Sequence, residues 1–433
     1  MATPGTGLIG VIVLLLLLLL GMPIGGALGL VGIGGLMLVL GAEPALIKAG
    51  SLLFETLTRY ELGTLPLFLL MAHLCFSSDV SRDLFDAAAR WVGHRRGGLA
   101  LASVAGCAGF GAINGSSLAT AATIGLVAVP EMRRHGYSDA LATGAVAAGG
   151  TLGQMIPPSG ALIVFGIIAQ QSIGSLFTAA IVPGITQMLF YFLVISLVVR
   201  FKPDLAPQTE RASWAERRAA LRKVADILAL MLIVIGGIVF GWFTPSEASS
   251  VGATGALLIC LWRRRLSWAV LYKSLEETLK TTGLIYAVVV GALIFSVFIS
   301  VTGLADAAGT LIAQLGGGRV TTVLLMALFL LLLGSVLDGL ALMLLATPIL
   351  LPVISSLGLS PIWFGIFVVR ATEIGFIHPP MGMNLYVIQG VARDVSLGRI
   401  FRGVLPFLAA DFVHLLLLIV FPAIAMALPG WLA

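Results

Sequence analysis

Apolar residues fill long stretches of this chain, and short polar segments separate one stretch from the next. Runs long enough to cross a bilayer, which takes roughly 20 residues, recur from residue 8 to residue 428. Three of them, at about 8–22, 26–41 and 62–78, precede the first strongly basic segment. The pattern predicts an all-α polytopic membrane protein and leaves no stretch for a large soluble domain.

The composition agrees with a lipid environment. Of 433 residues, 59% are hydrophobic and 10% are charged, whereas a typical soluble domain has about 25% charged residues. Mean hydropathy is +1.08, and the 52 glycines suit close packing of helices in lipid. The net charge of +5 does not indicate nucleic acid binding, because the basic residues lie in short loops that report membrane topology.

Lysine and arginine mark the loops that face the cytoplasm. Because three spans precede the first basic segment, the N-terminus is predicted to be periplasmic, and the C-terminus is predicted to lie on the same side. Segment 201–224 is then a cytoplasmic connector between two halves, 1–200 and 225–433. The basic segments are 82–96, 133–134, 200–223, 263–265 and 393–402.

Two consecutive prolines interrupt an apolar segment of the first half, where residues 153–160 read GQMIPPSG. Pro157 and Pro158 have no amide hydrogen, so they cannot bond to the carbonyls of Gly153 and Gln154, and their rings clash there. The helix is therefore predicted to break at this motif.

The second half repeats the break. Residues 375–382 read GFIHPPMG, and the two glycines and two prolines follow those of the first motif by 222 residues each. The basic loops predict that the chain enters the two motifs from opposite sides of the membrane. The halves are therefore interpreted as inverted repeats. The first-half crossing at about 139–172 is longer than one straight helix needs, which predicts a broken helix there and its counterpart at about 361–391.

Glycines and small polar residues also interrupt the apolar sequence ahead of each break. The first interruption, at 109–125, reads GFGAINGSSLATAATIG, and the second, at 334–348, reads GSVLDGLALMLLATP. The arms on either side are short for two full spans, so re-entrant hairpins are predicted at about 98–130 and 321–356. The serines of the first hairpin have a second interpretation as polar groups that pack helices together.

Inverted repeats with discontinuous helices bind substrate and coupling ions at their interface, where unwound carbonyls coordinate Na⁺. Irregular backbone at membrane depth is tolerated only where protein or a water-filled cavity satisfies it. The first predicted sodium site comprises Asn114, Ser116, Ser117, Gly153, Ile156 and Pro158. The second comprises Gly334, Ser335, Gly375, His378 and Met381. We predict no catalytic residue, no other metal and no organic cofactor.

Helix N-termini that face the gap left by each helix break favour a carboxylate substrate through their partial positive charge. The predicted substrate contacts are Ser159, Asn384, Asp338 and Arg370. Two of them have a structural interpretation as well, since Asp338 can cap the following half-helix and Arg370 can pair with Glu373 on one helix face.

Other polar groups in apolar sequence have local interpretations. His378 stands where the first motif has Ile156, and its ring is a candidate for proton coupling besides the predicted role of its carbonyl. Asp411 and His414, one turn apart, are predicted to make an interhelical polar contact. Two amphipathic segments, 43–61 and 268–282, are predicted to lie in the membrane interface, and the second is expected to precede a span at about 281–302.

The NGSS hairpin and the motifs GQMIPPSG, GSVLDG and GFIHPPMGMN resemble the large membrane subunit of tripartite ATP-independent periplasmic (TRAP) transporters. The resemblance covers nearly the whole chain. It implies sodium-driven import of an organic-acid anion (a C4-dicarboxylate, sialic acid or a similar carboxylate) by an elevator movement in the bacterial inner membrane. It also implies two partners, a small four-span membrane subunit and a periplasmic substrate-binding protein.

Other functions explain the sequence less well. The closest rival is a self-sufficient dicarboxylate or anion symporter of related fold, which would need no binding protein. An intramembrane enzyme would require a nucleophile and a base, and the sequence has no GxSxG or HExxH motif. A purely structural membrane protein leaves the two costly broken motifs unexplained.

Overall fold

A computed structural model describes residues 3–307, 310, 318–334, 337 and 339–432. In the first half the chain forms ten α-helices and one 3₁₀ turn in its described part. These are α1 (Pro4–Leu19), α2 (Ile24–Leu40), α3 (Ala42–Leu57), the 3₁₀ turn Tyr60–Gly63, α4 (Thr64–Phe76), α5 (Val80–Val92), α6 (Gly98–Asn114), α7 (Ser117–Arg134), α8 (Asp139–Met155), α9 (Gly160–Ile168) and α10 (Ile173–Phe201).

A short connector with a 3₁₀ turn at Pro203–Leu205 leads to the second half. Its described helices are α11 (Trp214–Val239), α12 (Pro245–Trp262), α13 (Trp268–Thr302), α14 (Gly318–Gly334), α15 (Gly339–Ser356), α16 (Pro361–Gly375), α17 (Met383–Val391), α18 (Leu397–Val420) and α19 (Ala423–Leu432).

Among the described residues, four helices are long and apolar enough to cross a bilayer, and two bent pairs extend the number to six. The long helices are α10, α13, α15 and α18. One bent pair joins the 3₁₀ turn and α4 to α5 at 67°, and the other joins α8 to α9 at 41°. The second bend lies at the first Pro-Pro motif, as expected where prolines remove helix hydrogen bonds.

The hairpins and the broken helices have closely similar dimensions in the two halves. The arms α6 and α14 are both 17 residues long, and α7 and α15 are both 18. The half-helices α9 and α17 that follow the breaks are both 9 residues long. The predicted fold class, an all-α membrane protein with a hairpin and a broken helix in each half, is confirmed.

Helix α8 lies at the centre of this arrangement and packs against α6, α7 and α18. Every residue from Leu141 to Met155 is buried, and most are Ala, Gly or Thr. Small residues let helix backbones approach closely in a membrane. The backbone contact is closest where Gly403 of α18 meets Ala140, since a Cβ at Gly403 would lie 1.9 Å from the Ala140 carbonyl oxygen.

One helix boundary differs from the sequence-based expectation. Residues 268–282 do not form a separate interfacial helix, because α13 continues without a break from Trp268 to Thr302. The physical reason is that residues 279–285 contain no proline and only one glycine, and a single interior glycine costs about 1 kcal/mol, too little to end a long apolar helix. The first amphipathic segment does form a helix of its own, α3.

Candidate functional site

The tip of the first hairpin is closed by its own polar side chains. The Asn114 side-chain amide donates to the Thr120 hydroxyl at 3.0 Å, and the Asn114 side-chain oxygen accepts from the Ser116 amide at 2.6 Å. Between them Gly115 has φ +64°, a left-handed conformation that favours glycine. The Ser116 hydroxyl then caps α7 by accepting from the Ala119 amide at 3.4 Å. The tip is therefore a fixed turn that presents several oxygen atoms.

This tip lies directly against the first break. A Cβ at Gly115 would lie 2.8 Å from the Pro158 carbonyl oxygen and 3.2 Å from the Ser159 Cα. A Cβ at Gly153 would lie 2.5 Å from the Thr120 hydroxyl oxygen and 2.8 Å from the Ser116 carbonyl oxygen. The structure thus brings together most of the first predicted sodium set, and glycines make the approach possible.

Two buried side chains of the broken helix lie next to the break in the sequence. Ser159 is fully buried and caps α9, with its hydroxyl accepting from the Leu162 amide at 3.4 Å. Gln154, at the end of α8, is buried, and its side-chain oxygen has no hydrogen-bond partner among the described residues. A buried acceptor without a donor is costly, so the Gln154 oxygen is an additional candidate cation ligand. The sequence analysis missed it, although it lies inside the quoted motif.

Asn384 and Ser117 join the second half to the first. Asn384, on α17, is fully buried and donates from its side-chain amide to the Ser117 hydroxyl at 3.0 Å and to the Ala147 carbonyl at 2.9 Å. Its backbone amide donates to the Phe376 carbonyl at 3.0 Å. The half-helix after the second break is thereby fastened to the first hairpin and to α8. Both Ser117 and Asn384 are engaged in this contact.

In the second half the hairpin also approaches its break through glycine. A Cβ at Gly375 would lie 2.7 Å from the Gly334 carbonyl oxygen, so these two predicted sodium ligands are adjacent. His378 is half-buried, and its ring meets Phe412 edge-on at 6.1 Å between centroids. Met381 is 47% exposed. Ser335 and Asp338 lie outside the described residues.

The second broken helix carries a fully buried ionic cluster. The Arg370 guanidinium donates to Glu373 at 2.8 Å and to Asp411 on α18, and all three side chains are inaccessible. An intramembrane charge must be paired, because an isolated one is expensive in lipid. The predicted pairing of Arg370 with Glu373 is therefore observed, and the guanidinium has carboxylate partners on two helices.

A chain of hydrogen bonds continues from this cluster to the first broken helix. Asp411 accepts from the Tyr191 hydroxyl at 3.0 Å, and Tyr191 lies 2.9 Å from the Thr151 hydroxyl on α8. The Gln187 amide donates to Thr151 at 3.0 Å and to Tyr191 at 3.1 Å. The network links both broken helices through α10. No local sequence pattern marks Gln187 or Tyr191 as members of it.

His414 belongs to a neighbouring contact on α18. Its Nε2 lies 2.8 Å from the Thr186 hydroxyl of α10. The side chains of Asp411 and His414 therefore both meet α10, which is the interhelical polar contact expected of them.

A cleft of the described chain lies away from these residues. It has a volume of about 690 Å³ and is bounded by the 3₁₀ turn before α4, the α9–α10 connection and the start of α12. Arg59, Gln170, Gln171, Ser172 and Thr244 are among its lining residues. Of the predicted ion and substrate residues that the structure describes, none lines this cleft. Ser159 and Asn384 are both buried.

Comparison with known proteins assigns the sequence to a family. The sequence profile of the DctM component of tripartite ATP-independent periplasmic transporters matches residues 11–424. The chain belongs to the DctM family.

Several named transporter subunits are similar to this chain in sequence. The C4-dicarboxylate TRAP transporter large permease protein DctM of Pseudomonas aeruginosa is 36% identical over 403 residues, which cover 93% of this chain and 94% of the relative. The sialic acid TRAP transporter large permease protein SiaM of Vibrio cholerae is 31% identical over 95% of this chain and 96% of its own length. The isethionate TRAP transporter permease protein DctMQ of Oleidesulfovibrio alaskensis is 31% identical, and this chain spans 65% of it.

A solved structure supports the fold of this DctM protein. The crystal structure of the YdaH transporter of Alcanivorax borkumensis superposes with a TM-score of 0.60 at 15% identity, over 86% of this chain and 88% of that one. At that identity the likeness concerns the fold alone. As a large permease of a TRAP transporter, the chain is a multi-pass membrane transport protein and not an enzyme.

Proposed function

We propose that this DctM protein couples the inward movement of Na⁺ to the import of an organic-acid anion. The observation that carries the proposal is the contact between the first hairpin tip and the first break, where Gly115 and Gly153 approach Pro158 and Ser116. Bringing backbone and hydroxyl oxygens together at a helix break is the arrangement by which discontinuous helices bind coupling ions.

The donor atoms there suit Na⁺ chemically. They are neutral oxygens from carbonyl, hydroxyl and amide groups, including the unpartnered oxygen of Gln154. The described residues contain no cluster of His, Cys, Asp or Glu that could hold a transition metal. We assign the first sodium ion to Asn114, Ser116, Ser117, Gly153, Ile156 and Pro158, and the second to the region of Gly334 and Gly375. The second assignment extends to Ser335, His378 and Met381.

We propose that the substrate is a carboxylate or similar anion bound near Ser159 and Asn384. Helix α9 begins at Gly160, directly after its cap Ser159, and the Gly160 amide lies close to Gly115 of the hairpin tip, so the partial positive charge of the helix N-terminus faces that tip. The names of the relatives, which specify C4-dicarboxylates, sialic acid and isethionate, support an anionic substrate. Asp338 remains a candidate contact, whereas Arg370 would have to exchange one of its two carboxylate partners to bind substrate.

Membership of the family supports the other components of the proposal. We propose that the chain works in the bacterial inner membrane with a small four-span subunit and a periplasmic binding protein that delivers the substrate. Asn384 fastens the half-helix after the second break to the first hairpin and to α8, and the Arg370 cluster fastens α16 to α18. We propose that the hairpins and broken helices move as one body in an elevator cycle. Both termini are assigned to the periplasm.

The test is uptake in proteoliposomes that contain the chain and its small subunit, with labelled C4-dicarboxylate or sialic acid. We expect uptake only when the cognate binding protein and an inward Na⁺ gradient are both present. Gln154→Leu should raise the Na⁺ concentration for half-maximal uptake several-fold by removing one ligand, whereas Gln170→Leu, in the cleft of about 690 Å³, serves as the matched control. Uptake by the chain without a binding protein would instead support a self-sufficient symporter, and uptake driven only by protons would refute the sodium assignment.

A further inference from the structure

A second cavity lies where α8 and α18 begin and α10 ends. It has a volume of about 450 Å³, and none of the described residues at the hairpin tips or the breaks lines it. Its walls are largely apolar and include Val198, Phe201, Pro406 and Phe407. Ala140 and Gly403 also line it, and their backbones are in direct contact, so the cavity adjoins a close junction of α8 and α18.

Two cations line the same cavity, Lys202 at the end of α10 and Arg402 in the second turn of α18. Both are exposed, and within the described part of the chain neither forms an ion pair. Neighbouring arginines differ in this respect, since Arg133 binds Asp139 at 3.0 Å and Arg399 binds Asp139 at 2.9 Å. Two positive charges are therefore left available at the mouth of an apolar cavity.

The position of the cavity in the membrane follows from the surrounding sequence. The helix ends that form it adjoin basic segments 133–134, 200–223 and 393–402, which the positive-inside rule assigns to the cytoplasmic side. The cytoplasmic leaflet carries anionic lipids, and basic pockets between transmembrane helices on that side bind their headgroups.

We propose that this cavity binds one anionic phospholipid of the cytoplasmic leaflet. The headgroup phosphate would pair with Lys202 and Arg402, and an acyl chain would lie along Val198, Phe201 and Phe407. A free anion would leave the apolar walls uncovered. A zwitterionic lipid also carries a phosphate, but its ammonium group would add a positive charge beside the two cations, so an anionic phospholipid fits this combination best. The proposal does not depend on sodium coupling or on the identity of the substrate.

The experiment measures the melting temperature of the purified chain in neutral detergent with phosphatidylglycerol, with phosphatidylcholine or with inorganic phosphate. A ligand that binds only the folded state raises this temperature by mass action. We expect phosphatidylglycerol to raise it by several degrees and the other two additions to have little effect. In the variant Lys202→Gln/Arg402→Gln, the shift should fall to less than half, relative to the variant's own baseline.

A matched control removes the same charge from another cytoplasmic loop. Arg95 and Arg96 are exposed and line no cavity described for the chain, so Arg95→Gln/Arg96→Gln should keep the full phosphatidylglycerol shift. A second variant, Val198→Trp, fills the apolar wall without changing charge and should also lose the shift. This variant tests the site even if the charge variant does not fold.

Three results would overturn the proposal. An equal loss in the Arg95/Arg96 control would show that the lipid effect is general electrostatics. An equal shift with inorganic phosphate would identify a free anion as the ligand. Loss of the phosphatidylglycerol effect in chain purified together with another membrane subunit would show that protein, and not lipid, covers the cavity in the assembled transporter.

Discussion

At the scale of single residues, the buried ionic cluster shows how a charge can be retained in a membrane protein. Arg370 meets one carboxylate on its own helix and one on α18, and all three side chains are inaccessible. Such a cluster adds little net stability over an apolar core, but removing one partner leaves an uncompensated buried charge. Its value here is positional, because it ties the second broken helix to α18 and, through Tyr191, to α10.

This reasoning predicts the effect of Arg370→Met. The variant leaves Glu373 and Asp411 unpaired, so we expect a loss of about 3–5 kcal/mol, seen as a marked fall in the melting temperature of the purified chain. The double variant Arg370→Met/Asp411→Leu removes one of the stranded charges and should recover part of the loss. A single variant as stable as the parent would show that the cluster does not hold the helices together.

Asn384 allows a second residue-scale prediction. Asn384→Ala leaves the buried Ala147 carbonyl without its side-chain donor and breaks the bond to Ser117, so we expect a loss of about 1–3 kcal/mol in the absence of substrate. Ser117→Ala, which removes only one of these bonds, should cost less. If thermal melting is unchanged while uptake is lost, Asn384 acts on substrate alone and not as a fastening between the halves.

At the scale of helices, glycines at the hairpin tips and at the breaks set how closely each hairpin can approach its break. Gly153→Ala would place a methyl group 2.5 Å from the Thr120 hydroxyl and 2.8 Å from the Ser116 carbonyl, so the tip must move. Overpacking of this kind costs about 1–3 kcal/mol. We expect weaker Na⁺ dependence of uptake together with a lower melting temperature.

The control for this prediction is Gly283→Ala, in the interior of α13. Gly283 has open space around its Cα, and alanine is favoured over glycine in a helix by about 1 kcal/mol. This variant should be at least as stable as the parent and should transport normally. If both variants behave alike, the close approach at Gly153 has no bearing on the site.

The sequence predicts elements better than it predicts contacts between them. The Pro-Pro motifs and the polar interruptions report a local property, the loss of helical hydrogen bonds, and both breaks and both hairpins are found where these motifs occur. Gln187 and Tyr191 reach Thr151 and Asp411 only because of how α10 is rotated against its neighbours, and no local pattern encodes that rotation. The sequence predicts a helix boundary near residue 281, within the unbroken α13, for a related reason. The local change from polar to apolar composition suggests a boundary there, but such a change does not end a helix.

At the scale of the whole molecule, the basic loops and the two halves define an orientation that can be tested directly. The native cysteines Cys75, Cys107 and Cys260 are all buried, so a membrane-impermeant maleimide should label the parent chain weakly. New cysteines can therefore report the side on which a loop lies. Gln170 lies in the loop between α9 and α10, and Ala212 lies in the connector ahead of α11.

We expect Gln170→Cys to be labelled in intact spheroplasts and Ala212→Cys only after the membrane is permeabilised. The physical reason is the concentration of arginine and lysine in segment 200–223, which holds the connector in the cytoplasm, together with the single crossing made by α8, the break and α9. Uptake activity of each variant serves as the control for correct folding. The reverse labelling pattern would show that the topology is inverted. The cavity of Lys202 and Arg402 would then lie in the outer leaflet, and each inverted repeat would be oriented oppositely to the sodium gradient.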